Sequence, residues 1–131
     1  MHGARAWWLV CLLPAAVFLA SIIGCNEGRR MREAALLTGG NPERGRHVIR
    51  TYGCGSCHSI PGVRGANSLV GPPLTGIAQR AYIAGVLPNT PTNMVAWIEH
   101  PQTIDPHTAM PNLGVSARDA RDIAGYLYSL R

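Results

Sequence analysis

The chain changes character twice along its length. From Trp7 to Gly24 it runs 18 residues without a charge, with Arg5 just before. That length suits either a membrane span or the apolar core of a signal peptide. Residues 26–40 then read as a linker, in which Met31 to Leu37 make a helical turn or two that ends at Thr38-Gly39-Gly40. Beyond it the apolar positions recur at helical spacing. Asn41-Pro42-Glu43 offers a capping side chain, a proline at the first helical position and an acid in the first turn. The helix it starts should reach Tyr52, with Val48, Ile49 and Tyr52 inward, and break at Gly53. Residues 59–90 are rich in proline and glycine and keep no period. Ile77 to Leu87 suits a short helix or an extended segment equally. Thr90-Pro91 repeats the cap-then-proline signal for a helix to His100, with Met94, Val95 and Ile98 inward and Pro101 as its stop. Residues 101–115 read as a loop. Ser116-Ala117-Arg118-Asp119 then caps a last helix to Leu130, with Ile123, Tyr126, Leu127 and Leu130 on one face. No strand pattern and no internal repeat is visible.

A chain of 131 residues suggests one domain with an appendage. Residues 1–25 are the appendage and residues 41–131 the domain. The segment ending Ile22-Ile23-Gly24-Cys25 resembles a bacterial lipoprotein cleavage box, so residues 1–25 are expected to be a signal peptide or membrane anchor, with Cys25 as the lipidation site. Arg29, Arg30 and Arg32 after the apolar run, against Arg5 before it, would by the positive-inside rule place the domain in the cytoplasm. The domain holds few large hydrophobes: Tyr52, Tyr82, Trp97, Tyr126 and Tyr128 are its aromatics, and Phe18 lies in the leader. A small domain of that composition needs a staple. The net charge is +5, carried by arginine with no lysine; from residue 41 onward eight arginines against five acids leave +3. Without a basic run or interleaved aromatics, nucleic-acid binding is excluded.

The staple has a candidate in Cys54-Gly55-Ser56-Cys57-His58. A thioredoxin-like pair would need a βαβ context that the pattern lacks. A zinc site would need a second ligand pair, and Cys11 and Cys25 lie upstream in or beside the leader. A disulfide inside the pentad would close a very small ring and stabilise little. The remaining reading is covalent haem attachment, in which each thiol adds to a vinyl group and the next residue brings an imidazole to the iron. Here the chain resembles the c-type cytochromes.

The resemblance implies an all-α, class I cytochrome c fold: three or more short helices and loops wrapped around one covalent haem c. It implies that the first and last helices cross where a small residue meets an aromatic, places held by Gly45 and Tyr126. His58 is then the proximal ligand, with its Nδ1–H held by the carbonyl of Pro72 in Gly71-Pro72-Pro73-Leu74. Met110, in Thr108-Ala109-Met110-Pro111, is the distal ligand, ahead of Met94, His100 and His107. Arg80 and Trp97 occupy places that resemble propionate partners, and His47 is expected to be solvated. The run from Gly71 through Leu87-Pro88-Asn89-Thr90-Pro91 to Trp97-Ile98 and Met110-Pro111 is similar to the cytochrome c domain fused to subunit II of bacterial haem-copper oxidases.

The function expected is a membrane-tethered monohaem cytochrome c on the periplasmic face of the bacterial inner membrane. It would carry single electrons to a membrane redox complex, with a cytochrome c oxidase as the expected acceptor. Residues 26–40 would act as a flexible tether with a reach of roughly 20–25 Å. The chain is read as an electron carrier and not an enzyme. The alternatives are a haem subunit of a periplasmic dehydrogenase and a ligand-binding haem sensor or peroxidase domain.

Overall fold

Residues 26–38 form a helix, α1, in the computed structural model of the chain, which describes residues 26–131. The expectations for residues 1–25, Cys25 among them, lie outside the described residues. Helix α1 is longer than the one or two turns expected and is no free linker. Its run of arginine, alanine, leucine and glutamate favours helix throughout. Met31, Ala34 and Thr38 sit three and four apart and are buried against the domain. Glu33 pairs with Arg131 at 3.1 Å. The density of charge in the sequence hides this narrow inward stripe. Gly39 then takes a left-handed conformation, φ 66°, and its N–H closes on Ala35 O at 2.9 Å.

Helix α2 spans Pro42–Thr51, capped by Asn41, whose side chain accepts from Arg44 N at 3.0 Å. It crosses α5, Ala117–Ser129, which Ser116 caps by accepting from Asp119 N at 3.2 Å. The crossing is backbone against backbone. A Cβ on Gly40 would strike the main chain of Arg121, and one on Gly45 the main chain of Asp122. From the other side, Gly125 faces Thr38 Oγ1 and Pro42 Cγ, at 3.1 and 3.3 Å from where its Cβ would be. The small residue at 45 thus holds the expected crossing, but its nearest neighbours are the Asp122 and Ile123 backbones. Tyr126, one turn further on, is buried and donates its hydroxyl to Pro61 O at 2.6 Å. Charges lock the same crossing. Asn41 N–H donates to the buried Asp122 at 2.7 Å, Arg44 pairs with both Asp119 and Asp122, and Tyr52 donates to Asp119 at 2.7 Å.

Between these helices lies the part without a sequence period. A 3-10 turn at Ile77–Gln79 leads into a two-residue hairpin. Strand β1, Tyr82–Ile83, pairs antiparallel with β2, Leu87–Pro88, in the register Tyr82 to Pro88 and Ile83 to Leu87. Here the all-helical expectation misses a small sheet, because strands of two residues carry no alternation to read. Helix α3, Pro91–Glu99, starts on Thr90 as expected and buries Met94, Trp97 and Ile98. Pro101 stops α3 and also opens a single turn, α4, at Pro101–Ile104, where a loop was expected. Proline suits the first turn of a helix as well as the end of the preceding one.

Candidate functional site

Gly53 ends α2 in a left-handed conformation, φ 71°, and turns the chain into a 3-10 turn at Cys54–Ser56. His58 N–H closes on Cys54 O at 3.0 Å. The pentad is therefore one tight coil, with Cys54, Cys57 and His58 presented from a short length of backbone. Both thiols are free and half-buried. Burial is the main cause pushing the Cys54 thiol above its ordinary range.

The imidazole is oriented from outside the pentad. His58 Nδ1 lies 2.8 Å from Pro72 O. A carbonyl can only accept, so Nδ1 carries the proton and Nε2 keeps a free lone pair for a metal. Gly71 makes this approach possible: a Cβ there would fall 2.6 Å from His58 Cε1 and 2.8 Å from Nδ1. The loop is pinned to the pentad by Gly71 N–H to Cys57 O at 2.7 Å and Leu74 N–H to Ser59 O at 2.8 Å.

The other candidates fall into two groups. Met110 is half-buried against the core, with its N–H on Thr108 Oγ1 at 3.2 Å. Met94 is sealed in the core, and His100 and His107 stand in solvent. Arg80 reaches back to the carbonyls of Pro73 and Thr75, the latter at 3.2 Å. Trp97 is a buried residue of α3 whose indole N–H finds no acceptor among the described residues.

Asn89 ties the second group to the fold, and sequence reasoning gave it no role. Its side-chain amide donates to Ile77 O and Arg80 O, both at 2.8 Å, and its side-chain oxygen accepts from Tyr128 at 2.8 Å. Its own N–H closes on Ala81 O at 2.9 Å. The specificity of Leu87-Pro88-Asn89-Thr90-Pro91 was its visible signal. In three dimensions that segment pairs a strand, binds two carbonyls beside Arg80 and caps α3.

Two free thiols, an imidazole held with Nε2 available and a half-buried thioether fit a covalently held porphyrin. Site and helices together define a haem-attaching domain of the electron-transfer type. A family model described as "Cytochrome c" matches residues 42–131, and the chain belongs to the cytochrome c family. The fold is accordingly class I, the cofactor is covalent haem c, and the protein is an electron-carrying haem protein. The chain is also 35% identical over 89 residues to cytochrome c oxidase subunit 2 of Alkalihalophilus pseudofirmus (strain ATCC BAA-2126 / JCM 17055 / OF4). That match covers 67% of this chain and 25% of the relative, so the chain spans about a quarter of that protein's length. No solved structure matches the chain.

Proposed function

We propose that the protein is a membrane-tethered carrier of single electrons on the periplasmic face of the bacterial inner membrane, delivering them to a terminal haem-copper oxidase. The observation that carries the electron-transfer role is the His58 Nδ1–Pro72 contact at 2.8 Å with Gly71 flat against the ring. It fixes the tautomer and the angle of one axial ligand before any partner arrives. Haem c supplies one-electron exchange between ferric and ferrous iron. When it is bound, Cys54 and Cys57 would hold it through thioethers, and His58 and Met110 would be the side chains offered to the iron. Pro111 stiffens the approach of Met110, whose soft sulfur favours the reduced metal. Arg80 and the Trp97 N–H serve the propionates. With both His58 and Met110 offered to the iron by the chain itself, electron exchange would be favoured over turnover of a bound substrate.

The oxidase as acceptor is supported by the likeness to an oxidase subunit 2 over the cytochrome c region. Attachment to the membrane is supported by the uncharged run from Trp7 to Gly24 and by Cys25 after it. The test is stopped-flow oxidation of the ferrous protein by membranes that contain a haem-copper oxidase. Rapid, cyanide-sensitive oxidation is expected. Absence of oxidation, with rapid reduction by a periplasmic dehydrogenase, would replace this reading with the dehydrogenase subunit.

A further inference from the structure

Helix α1 has two stripes of identical spacing. Met31, Ala34 and Thr38 form the buried one. Arg29, Arg32 and Leu36 repeat it two residues earlier, and at 3.6 residues per turn this sets them about 160° away around the helix. No described part of the domain covers that outer stripe. Arg29 and Arg32 are exposed, and Leu36 is 87% exposed with Leu37 beside it at 54%. Among the described residues Arg29 meets Asn26 at 3.0 Å and Glu33 at 3.9 Å, surface contacts of little strength.

The chain upstream says what lies against this face. The uncharged run ends at Gly24, and the described part of α1 begins at residue 26. On the attachment proposed above, whether through the run itself or a lipid on Cys25, residue 26 would stand at the bilayer surface. A helix whose described part begins there, with exposed Arg29 and Arg32 on its outer stripe and Leu36 and Leu37 toward its far end, offers positive charge to anionic headgroups and apolar side chains beside it.

We infer that α1 is an interfacial clamp. Its Arg29–Arg32–Leu36 stripe rests on an anionic phospholipid surface, while its buried stripe holds the cytochrome domain in one orientation to the bilayer. This rests on the membrane attachment proposed above. It gives the arginines a role outside the cytoplasm, which the positive-inside rule does not provide.

The test is linear dichroism of the haem absorption, with full-length holoprotein in oriented bilayers of phosphatidylcholine, with and without phosphatidylglycerol. A dichroic haem band is expected with the anionic lipid and a loss of dichroism without it. The double variant Arg29→Gln, Arg32→Gln should lose it in both lipids, with each arginine contributing roughly fivefold to surface affinity. Leu36→Gln should act in the same direction. All of these side chains are exposed, so the haem spectrum should not change. An isotropic haem on anionic bilayers, or dichroism equal in both lipids and all variants, overturns the clamp. Isotropic haem combined with slower oxidase turnover for Leu36→Gln also overturns it, in favour of a protein partner on that stripe. Failure of the attachment itself is seen separately, as holoprotein that leaves the vesicles on flotation after an alkaline carbonate wash.

Discussion

At the scale of single residues, the site divides between groups that do chemistry and groups that give them room. Met110→Ala should keep the haem covalently bound while ferric iron turns high-spin or takes water, the potential falls, and cyanide binds faster. Met94→Leu should leave all of these unchanged at a packing cost under about 1.5 kcal/mol. Optical and electrochemical titration of the two variants compares them directly. A spectral change from Met94→Leu instead would reverse the ligand assignment. Gly71→Ala addresses the second kind of residue. Its methyl would lie 2.6 Å from the His58 ring, so ring or loop must move, at a cost of about 1–3 kcal/mol. Lower holoprotein yield and a lower Tm are expected, and a Tm equal to wild type would show that the contact is not tight. The pentad and the Pro72 contact were legible in the sequence because covalent attachment and its supporting loop fix residue types at fixed spacing. Gly71 and Asn89 were not legible in their roles. What each does depends on a ring or a carbonyl that another chain segment brings to it.

Helix starts were the most legible elements. Asn41, Thr90 and Ser116 each accept from a backbone N–H three residues on, as capping side chains do. The hairpin was not legible: its strands are two residues each, and its turn uses Ala84 at φ 52°, a conformation unfavourable for alanine, beside Gly85 at φ 77°. The inward stripe of α1 was hidden among its charges. Contact between elements carries two predictions. Gly45→Ala drives a methyl into the Asp122 backbone, and because neither backbone can yield alone it should cost about 3 kcal/mol or more. Chemical denaturation of the holoprotein measures this, and a loss below 1 kcal/mol on the same scale would mean that the helices can part without penalty. The charged side of the crossing titrates. The Tyr52 hydroxyl first, and the Arg44 guanidinium second, hold the Asp119 carboxyl below the usual carboxylate range. A lowered folded value means that the contribution is complete above the unfolded aspartate value near about 3.9 and fades as pH falls through the folded one. Asp119→Asn should therefore be less stable than wild type at neutral pH, with a gap that narrows below about pH 4. A gap constant down to the acid limit would show that Asp119 acts through packing alone.

For the whole molecule, the prosthetic group is one dependency and the proposed membrane attachment the other. The domain's core has few aromatics, and a porphyrin completes it. The double variant Cys54→Ala, Cys57→Ala should lose covalent haem and, with it, cooperative thermal unfolding. Haem retained through acid-acetone extraction, or a sharp calorimetric transition without haem, would contradict this. For the anchor, intact mass of the membrane fraction separates a chain lipidated at Cys25 from an unmodified chain that starts at Met1. The pairing of Glu33 with Arg131 at 3.1 Å also has a consequence for how the domain is joined to other proteins. It brings the entry of the chain into the domain and its last residue to one side. A neighbour attached upstream of α1 or downstream of Arg131 would leave from the same face. The domain could thus be moved from one end of a longer polypeptide to the other without turning its haem edge, and circular permutation across that gap should be tolerated.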